Sequence, residues 1–291
     1  MRTARHAAVR GGVCGAVLAT VLAGCATAPT APGPSSMSAT VLPTSVVTTA
    51  ATAPATSVAP ATPSVAAPAP AARAAAAQTV VLDPGHNGRN GQDPAAINRP
   101  VPDGRGGTKP CNSTGTATDA DYSEHAFNFD VATRVRAKLV AAGVRVVMTR
   151  PDDNGVGPCV DVRGRAGAQA GAAAVVSIHA DGSAAGNSGF HVAYSDPPLN
   201  AVQSGPAHVL GVDVRDAMRA GGFRDSDYIG HDGLSPRRDL AGLNLATVPT
   251  VLVECANMRN AAEATLVSSA PGRERYASAI AAGILAFLRS R

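Results

Sequence analysis

The 291-residue sequence predicts an α/β fold: one domain over residues 79–291, built on a mixed, mostly parallel sheet flanked by helices. Three observations carry this. Short runs of Val, Ile and Leu alternate with segments of helical periodicity. Gly- or Pro-containing turns close several of the runs. A His or Glu ends, or closely follows, three separate runs, and in sheets of this kind ligands bind at the carboxyl ends of the strands.

The elements follow in order. Thr79-Val80-Val81-Leu82, closed by Asp83-Pro84-Gly85, reads as a buried strand. A long Gly/Asn/Pro-rich loop runs from about 87 to 122, a length that usually signals function. Glu124 to Ala142 is predicted helical, with Ser123 as N-cap, Phe127, Val131, Val135 and Leu139 on one face, and Gly143 as the stop. Val144 to Thr149 is a strand, Val162 to Ala172 a small-residue helix and Ala173 to Ile178 a third strand. Gly189 to Tyr194 alternates as an edge strand would, and Ser204 to Ala220 is helical with Val209, Val212 and Met218 inward. Residues 222–246 read as loop; Thr250 to Val253 is a strand and Glu274 to Leu288 the closing helix.

Before residue 79 the chain has a different character. Arg2, Arg5 and Arg10 precede an apolar stretch from Val13 to Ala23, too short to span a bilayer easily, which ends in Leu22-Ala23-Gly24-Cys25. Residues 1–25 therefore read as a lipoprotein-type signal, with Cys25 the acylated residue; an ordinary secretory signal is the plainer alternative. Residues 26–78 are almost entirely Ala, Pro, Thr, Ser and Val, a composition that cannot bury enough surface to fold. They are expected to form a disordered tether spanning roughly 40 Å. The net charge of +4 also belongs to this end: four arginines and no acid precede residue 79, and the remainder balances. The domain thus has no bulk positive charge to attract nucleic acid. Export permits disulfides, and Cys111 and Cys159, each in a Gly/Pro-rich loop, are the expected pair, with Cys255 a buried thiol.

The chemistry sits in four stretches. Asp83-Pro84-Gly85-His86, Ser123-Glu124-His125 and Ser177-Ile178-His179-Ala180-Asp181 offer two imidazoles and a carboxylate, the ligand set of a catalytic zinc site with one position open. Val251-Leu252-Val253-Glu254 ends in an acid that needs a partner or a task when buried. As general base, Glu254 would take a proton from a zinc-activated water and pass it to a leaving amine. Asp83 and Asp181 are candidates for orienting the histidines, with turn-capping as the plainer role. Asn87 and Asn257 flank site residues and are candidate substrate-binding groups, with turn chemistry again the simpler account. His125 is expected to hydrogen-bond outside the ligand set, and His191, His208 and His231 to lie at the surface.

The ordered set, Leu82 to His86, Ser123 to His125, Ser177 to Asp181 and Val253 to Asn260, resembles the zinc-dependent N-acetylmuramoyl-L-alanine amidases of bacterial cell walls. The resemblance spans about 79 to 290 and is nearest to compact actinobacterial members, which have a similar Gly104-to-Lys109 loop. It implies that His86, Glu124 and His179 bind one zinc ion and that Glu254 is the catalytic carboxylate. It implies as substrate the amide joining N-acetylmuramic acid to L-alanine in peptidoglycan. Two alternatives share the residue set: a zinc carboxypeptidase trimming stem peptides, and a non-catalytic wall-binding lipoprotein. The expected location is the cell envelope, facing the wall, with the membrane reached through a lipid anchor. No obligate protein partner is evident.

Overall fold

A computed structural model describes residues 78–291. The expected signal, Cys25 and most of the tether lie outside them. Strand β1 (Thr79–Pro84) is buried along its whole length, as its β-branched run requires. It lies between β4 (Arg145–Met148) and β5 (Ala174–Asp181), parallel to both, and β5 pairs in parallel with β8 (Thr250–Asn257). Beyond β8, the strand β6 (His191–Ser195) runs antiparallel to it and parallel to β7 (Leu234–Arg237), giving a six-stranded order β4-β1-β5-β8-β6-β7. The predicted class, a single α/β domain with a mostly parallel mixed sheet flanked by helices, is the fold observed.

Helices cover both faces. One face carries α2 (Glu124–Ala141), α5 (Pro206–Ala220, preceded by the short α4, Ala201–Ser204) and α8 (Ala270–Arg289). Phe127, Val131, Val135 and Leu139 of α2 are fully buried there against Val80, Leu82, Val176 and Ile178 in the main core. Each such burial contributes roughly 1.5–3 kcal/mol. The other face carries α3 (Val160–Gln169) and α6 (Ala241–Asn244) over a smaller cluster around Val81 and Val175. The thinner cover on this face leaves room for a cavity.

Several expectations are corrected. β6 is internal, not an edge, because β7 emerges from the region read as loop; its Leu-Ser-Pro-Arg sequence is short and contains Pro, which suits an edge strand. On α5 the buried face is Leu210, Val214 and Met218, while Val209 is 44% exposed. The helix expected from 162 begins at Val160, and the one expected from 274 begins at Ala270 after a further helix, α7 (Ala261–Ser268). The long loop after His86 holds a short helix, α1 (Pro94–Asn98), and a hairpin, β2 (Pro100–Pro102) with β3 (Thr108–Pro110). The Cys111–Cys159 disulfide forms as expected and ties this loop to the start of α3. Cys255 is a buried free thiol.

Candidate metal centre

Every element of the site is set at the carboxyl end of the parallel strands. After Pro84, the Gly85 amide donates to the Ile178 carbonyl (3.0 Å), extending the β1–β5 ladder by one residue. Gly85 has to be glycine: a Cβ there would fall on the His179 ring. The next residue, His86, takes a left-handed backbone (φ 60°), uncommon outside glycine and a strain that surrounding structure must hold. Two buried arginines supply that hold. Arg150 donates to the Pro84 carbonyl (3.0 Å), and Arg163 to the carbonyls of Pro84 (2.7 Å) and His86 (2.7 Å).

Glu124 opens α2, where the helix dipole favours its charge. Ser123 occupies the N-cap position, but its side chain makes no capping bond. Glu124 Oε2 accepts from the Thr116 amide (2.9 Å), and Oε1 from the Ala180 amide (3.3 Å) and the Asn128 amide group (3.2 Å). The two imidazoles meet at the same oxygen. His86 Nε2 lies 3.1 Å and His179 Nδ1 3.0 Å from Glu124 Oε1. His86 Nδ1 donates to the Ser113 carbonyl (3.1 Å), which leaves Nε2 as its inward-facing nitrogen. Gly115 (φ 79°) makes the space, since a Cβ there would come within 2.7 Å of Glu124 Oε2.

One donor atom from each of His86, Glu124 and His179 falls within 4.8 Å of the others, a His/Glu/His group able to hold a metal ion. The donor chemistry fits: two nitrogens and one oxygen, converging from three elements, match the three-ligand pattern of catalytic metal sites. Burial would raise the Glu124 carboxyl, but the charges and hydrogen bonds of His86 and His179 outweigh it and hold the group well below the usual range. It is therefore ionised, as ligation requires. At His179 burial, aided by the His86 charge, outweighs Glu124 and lowers it, while at His86 burial is overcome by the charge and hydrogen bond of Glu124, with the Ser113 contact, which raise it.

Glu254 is placed by register. It pairs with His179 across β5–β8 and with His191 across β8–β6, so the three side chains form one row on one face of the sheet. A bulge in the β5–β8 ladder falls just after this row. Glu254 lines a cavity of about 590 Å³ together with His86, Glu124 and His179; Lys109, Arg163 and the α6 segment line its other walls. Its Oε2 is enclosed and, among the described residues, without a hydrogen-bond partner. Burial, then the negative charges of Glu124 and Asp181, push the carboxyl well above the usual range against a smaller opposing effect of Arg237.

Other expected residues are held by local hydrogen bonds. Asn87 donates to the Gly157 carbonyl (2.9 Å) and accepts from the amides of Gly88 (2.9 Å) and Gly155 (3.1 Å). Asn257 donates to the carbonyls of Ala184 and Asn187 (both 2.8 Å) and accepts from the Ser183 (2.9 Å) and Arg259 (3.1 Å) amides. Both amides thus staple loops beside the cavity. Asp83 does not orient a histidine; it pairs with Arg163 (2.6 Å) and accepts from Thr149 (2.6 Å) and Ser177 (2.7 Å). Asp181 caps Gly182 (2.8 Å) and accepts from the Tyr228 hydroxyl (3.1 Å). His125 pairs with Asp153 (2.6 Å), outside the ligand set as expected. His208 and His231 are exposed, but His191 is fully buried, contrary to expectation. Ala256 is buried within β8 and takes no positive φ.

Comparison with known proteins bears on the same elements. A family model described as N-acetylmuramoyl-L-alanine amidase matches residues 80–286. An N-acetylmuramoyl-L-alanine amidase of Mycobacterium tuberculosis is 47% identical over 234 residues, covering 80% of this chain and 96% of the relative. The crystal structure of the N-acetylmuramyl-L-alanine amidase of Mycobacterium smegmatis superposes with a TM-score of 0.72 at 53% identity, over 74% of this chain and 98% of that one. The corresponding enzyme of Mycobacterium abscessus gives 0.70 at 51% identity, over 72% and 98%. With the match spanning the sheet, the three ligand candidates and Glu254, this chain is a member of the N-acetylmuramoyl-L-alanine amidase family.

Proposed function

We propose that the protein is a zinc-dependent peptidoglycan amidase that hydrolyses the amide between the lactyl group of N-acetylmuramic acid and L-alanine. The observation that carries this reading is the convergence of His86, Glu124 and His179 beside a Glu254 that faces the same cavity. Family membership supports the choice of bond. His86, Glu124 and His179 would hold one zinc ion, which in such a set serves as a Lewis acid and makes water easier to deprotonate. Glu254 handles the protons. It accepts one from water as the water oxygen adds to the carbonyl carbon, and returns it to the amide nitrogen as the C–N bond breaks. The products are a lactyl carboxylate and a peptide with a free L-alanine amino terminus. An environment that raises the proton affinity of Glu254 suits a group that must keep that proton between the two steps.

The test is product mass. The zinc-loaded protein incubated with a muramoyl peptide should release a peptide beginning at L-alanine. If the metal is bound and the lactyl amide stays intact, the reading fails; loss of a terminal residue instead would indicate a carboxypeptidase.

The amino-terminal region extends the proposal to place. Cys25 would be acylated, and residues 26–78 would tether the domain within reach of the wall. No described helix is long and apolar enough to cross a membrane. Acyl labelling that persists in a Cys25→Ala variant would remove the anchor at that residue.

A further inference from the structure

The row across the sheet has a third member that the proposed chemistry leaves unused. His179, Glu254 and His191 stand side by side on β5, β8 and β6. His179 faces the ligand set; His191, at the other end, is 0% exposed. Among the described residues, neither of its ring nitrogens has a hydrogen-bond partner. On the adjacent strand, Glu254 Oε2 is equally enclosed and equally bare. A buried imidazole with an unmatched N–H, or a buried carboxyl oxygen with no donor, loses its hydration with nothing in return. A Phe or Leu at position 191 would be free of that cost, so the imidazole has to be accounted for.

The two orphans answer each other. Residues directly opposite in an antiparallel pair have Cβ atoms roughly 4.5–5.5 Å apart, within reach of a side-chain hydrogen bond after small torsional adjustment. The chemistry is matched as well: a neutral imidazole offers one donor, and Oε2 lacks one. The surroundings keep His191 neutral. Burial pushes it down to about 4, with Arg237 adding to the effect and Asp181 opposing it. The Tyr228 ring meets it edge-on at 6.3 Å between centroids, and the Tyr228 hydroxyl is already committed to Asp181.

Resting on the amidase reading above, we infer that His191 is a positioning residue: its ring N–H donates to Glu254 Oε2 in the working enzyme and fixes the carboxylate with its other oxygen towards the attacking water. Such a bond holds one oxygen still while the other exchanges a proton. It also favours the ionised form that must act as the base. An equally buried Met, or Phe, would fill the space without doing either.

The test compares near-isosteric variants in the full protein. His191→Met, which lacks a donor, is expected to lower kcat about 10- to 100-fold, the usual loss when a supporting hydrogen bond is removed. KM should stay within about threefold, since no ground-state substrate contact is removed. His191→Gln keeps an N–H donor and should recover most of the rate. Zinc content should be equal in all three proteins. The decisive readout is coupling: in a Glu254→Gln background, His191→Met should cost less than about twofold of the residual rate, because the group it positions is gone. The inference is overturned if His191→Met keeps kcat within twofold, if Gln and Met lose rate equally, or if the loss recurs undiminished on top of Glu254→Gln. A wild-type protein that leaves the lactyl amide intact would instead overturn the amidase reading itself.

Discussion

Two buried carboxylates share one cavity and differ in nearly everything around them. Glu124 accepts hydrogen bonds from the amides of Thr116 and Ala180 and the side chain of Asn128, and meets both imidazoles at Oε1. Glu254 faces the same space with Oε2 bare and negative charges as neighbours. Their proton affinities are driven in opposite directions, Glu124 far down and Glu254 far up. A carboxylate surrounded by donors and cations stays ionised and, on the proposed function, serves as a ligand. On the proposed function, one buried beside other acids takes and gives protons. Environment, and not residue type, divides the two roles.

The largest expected effect separates them directly. Glu254→Gln should lower kcat by about 10²- to 10⁴-fold, the range for loss of a general base, in a steady-state assay of peptide release. The next effect starts from the Glu124 side. Cys111–Cys159 closes the loop that delivers Ser113, the acceptor for His86. Removing the disulfide with a Cys111→Ala/Cys159→Ala pair should cost about 2–4 kcal/mol in denaturant unfolding.

At the Glu254 end, pH is the probe. The unfolded His191 takes up a proton near pH 6.5, whereas the folded one, held down first by burial, does so only near 4. Stability from this group is complete above about 6.5 and falls as the pH drops towards 4, by up to about 3 kcal/mol. Thermal melts between pH 7 and 4.5 should therefore decline less steeply for His191→Phe than for wild type. The smallest effect returns to the ligand set. Gly85→Ala displaces the His179 ring and should weaken zinc binding about 10- to 100-fold, read by competition with a chelator.

Much of this arrangement was legible in the chain. The runs that became β1, β5 and β8 are apolar and β-branched, and each delivers its His or Glu at the sheet edge where the cavity forms. The face of α2 could be read from the spacing of Phe127, Val131, Val135 and Leu139 because helical burial repeats locally. What escaped was whatever depends on register between distant strands. His191 has no neighbour in sequence to mark it; only its pairing with Glu254 brings it to the site. β7 escaped because a Leu-Ser-Pro-Arg segment carries no strand pattern of its own. Arg150 and Arg163 escaped for another reason. Long cations usually read as surface, and these two are buried only because the turn at Pro84-Gly85-His86 presents several carbonyls that need donors.

The division of labour between the two carboxylates can be read from zinc stoichiometry measured on three purified proteins alongside their turnover. Wild type and Glu254→Gln should each carry one zinc, with turnover at least about 10²-fold lower in Glu254→Gln, and Glu124→Gln should have lost both metal and activity. A Glu254→Gln protein that loses its zinc together with its activity, or a Glu124→Gln protein that keeps it, would contradict the assignment.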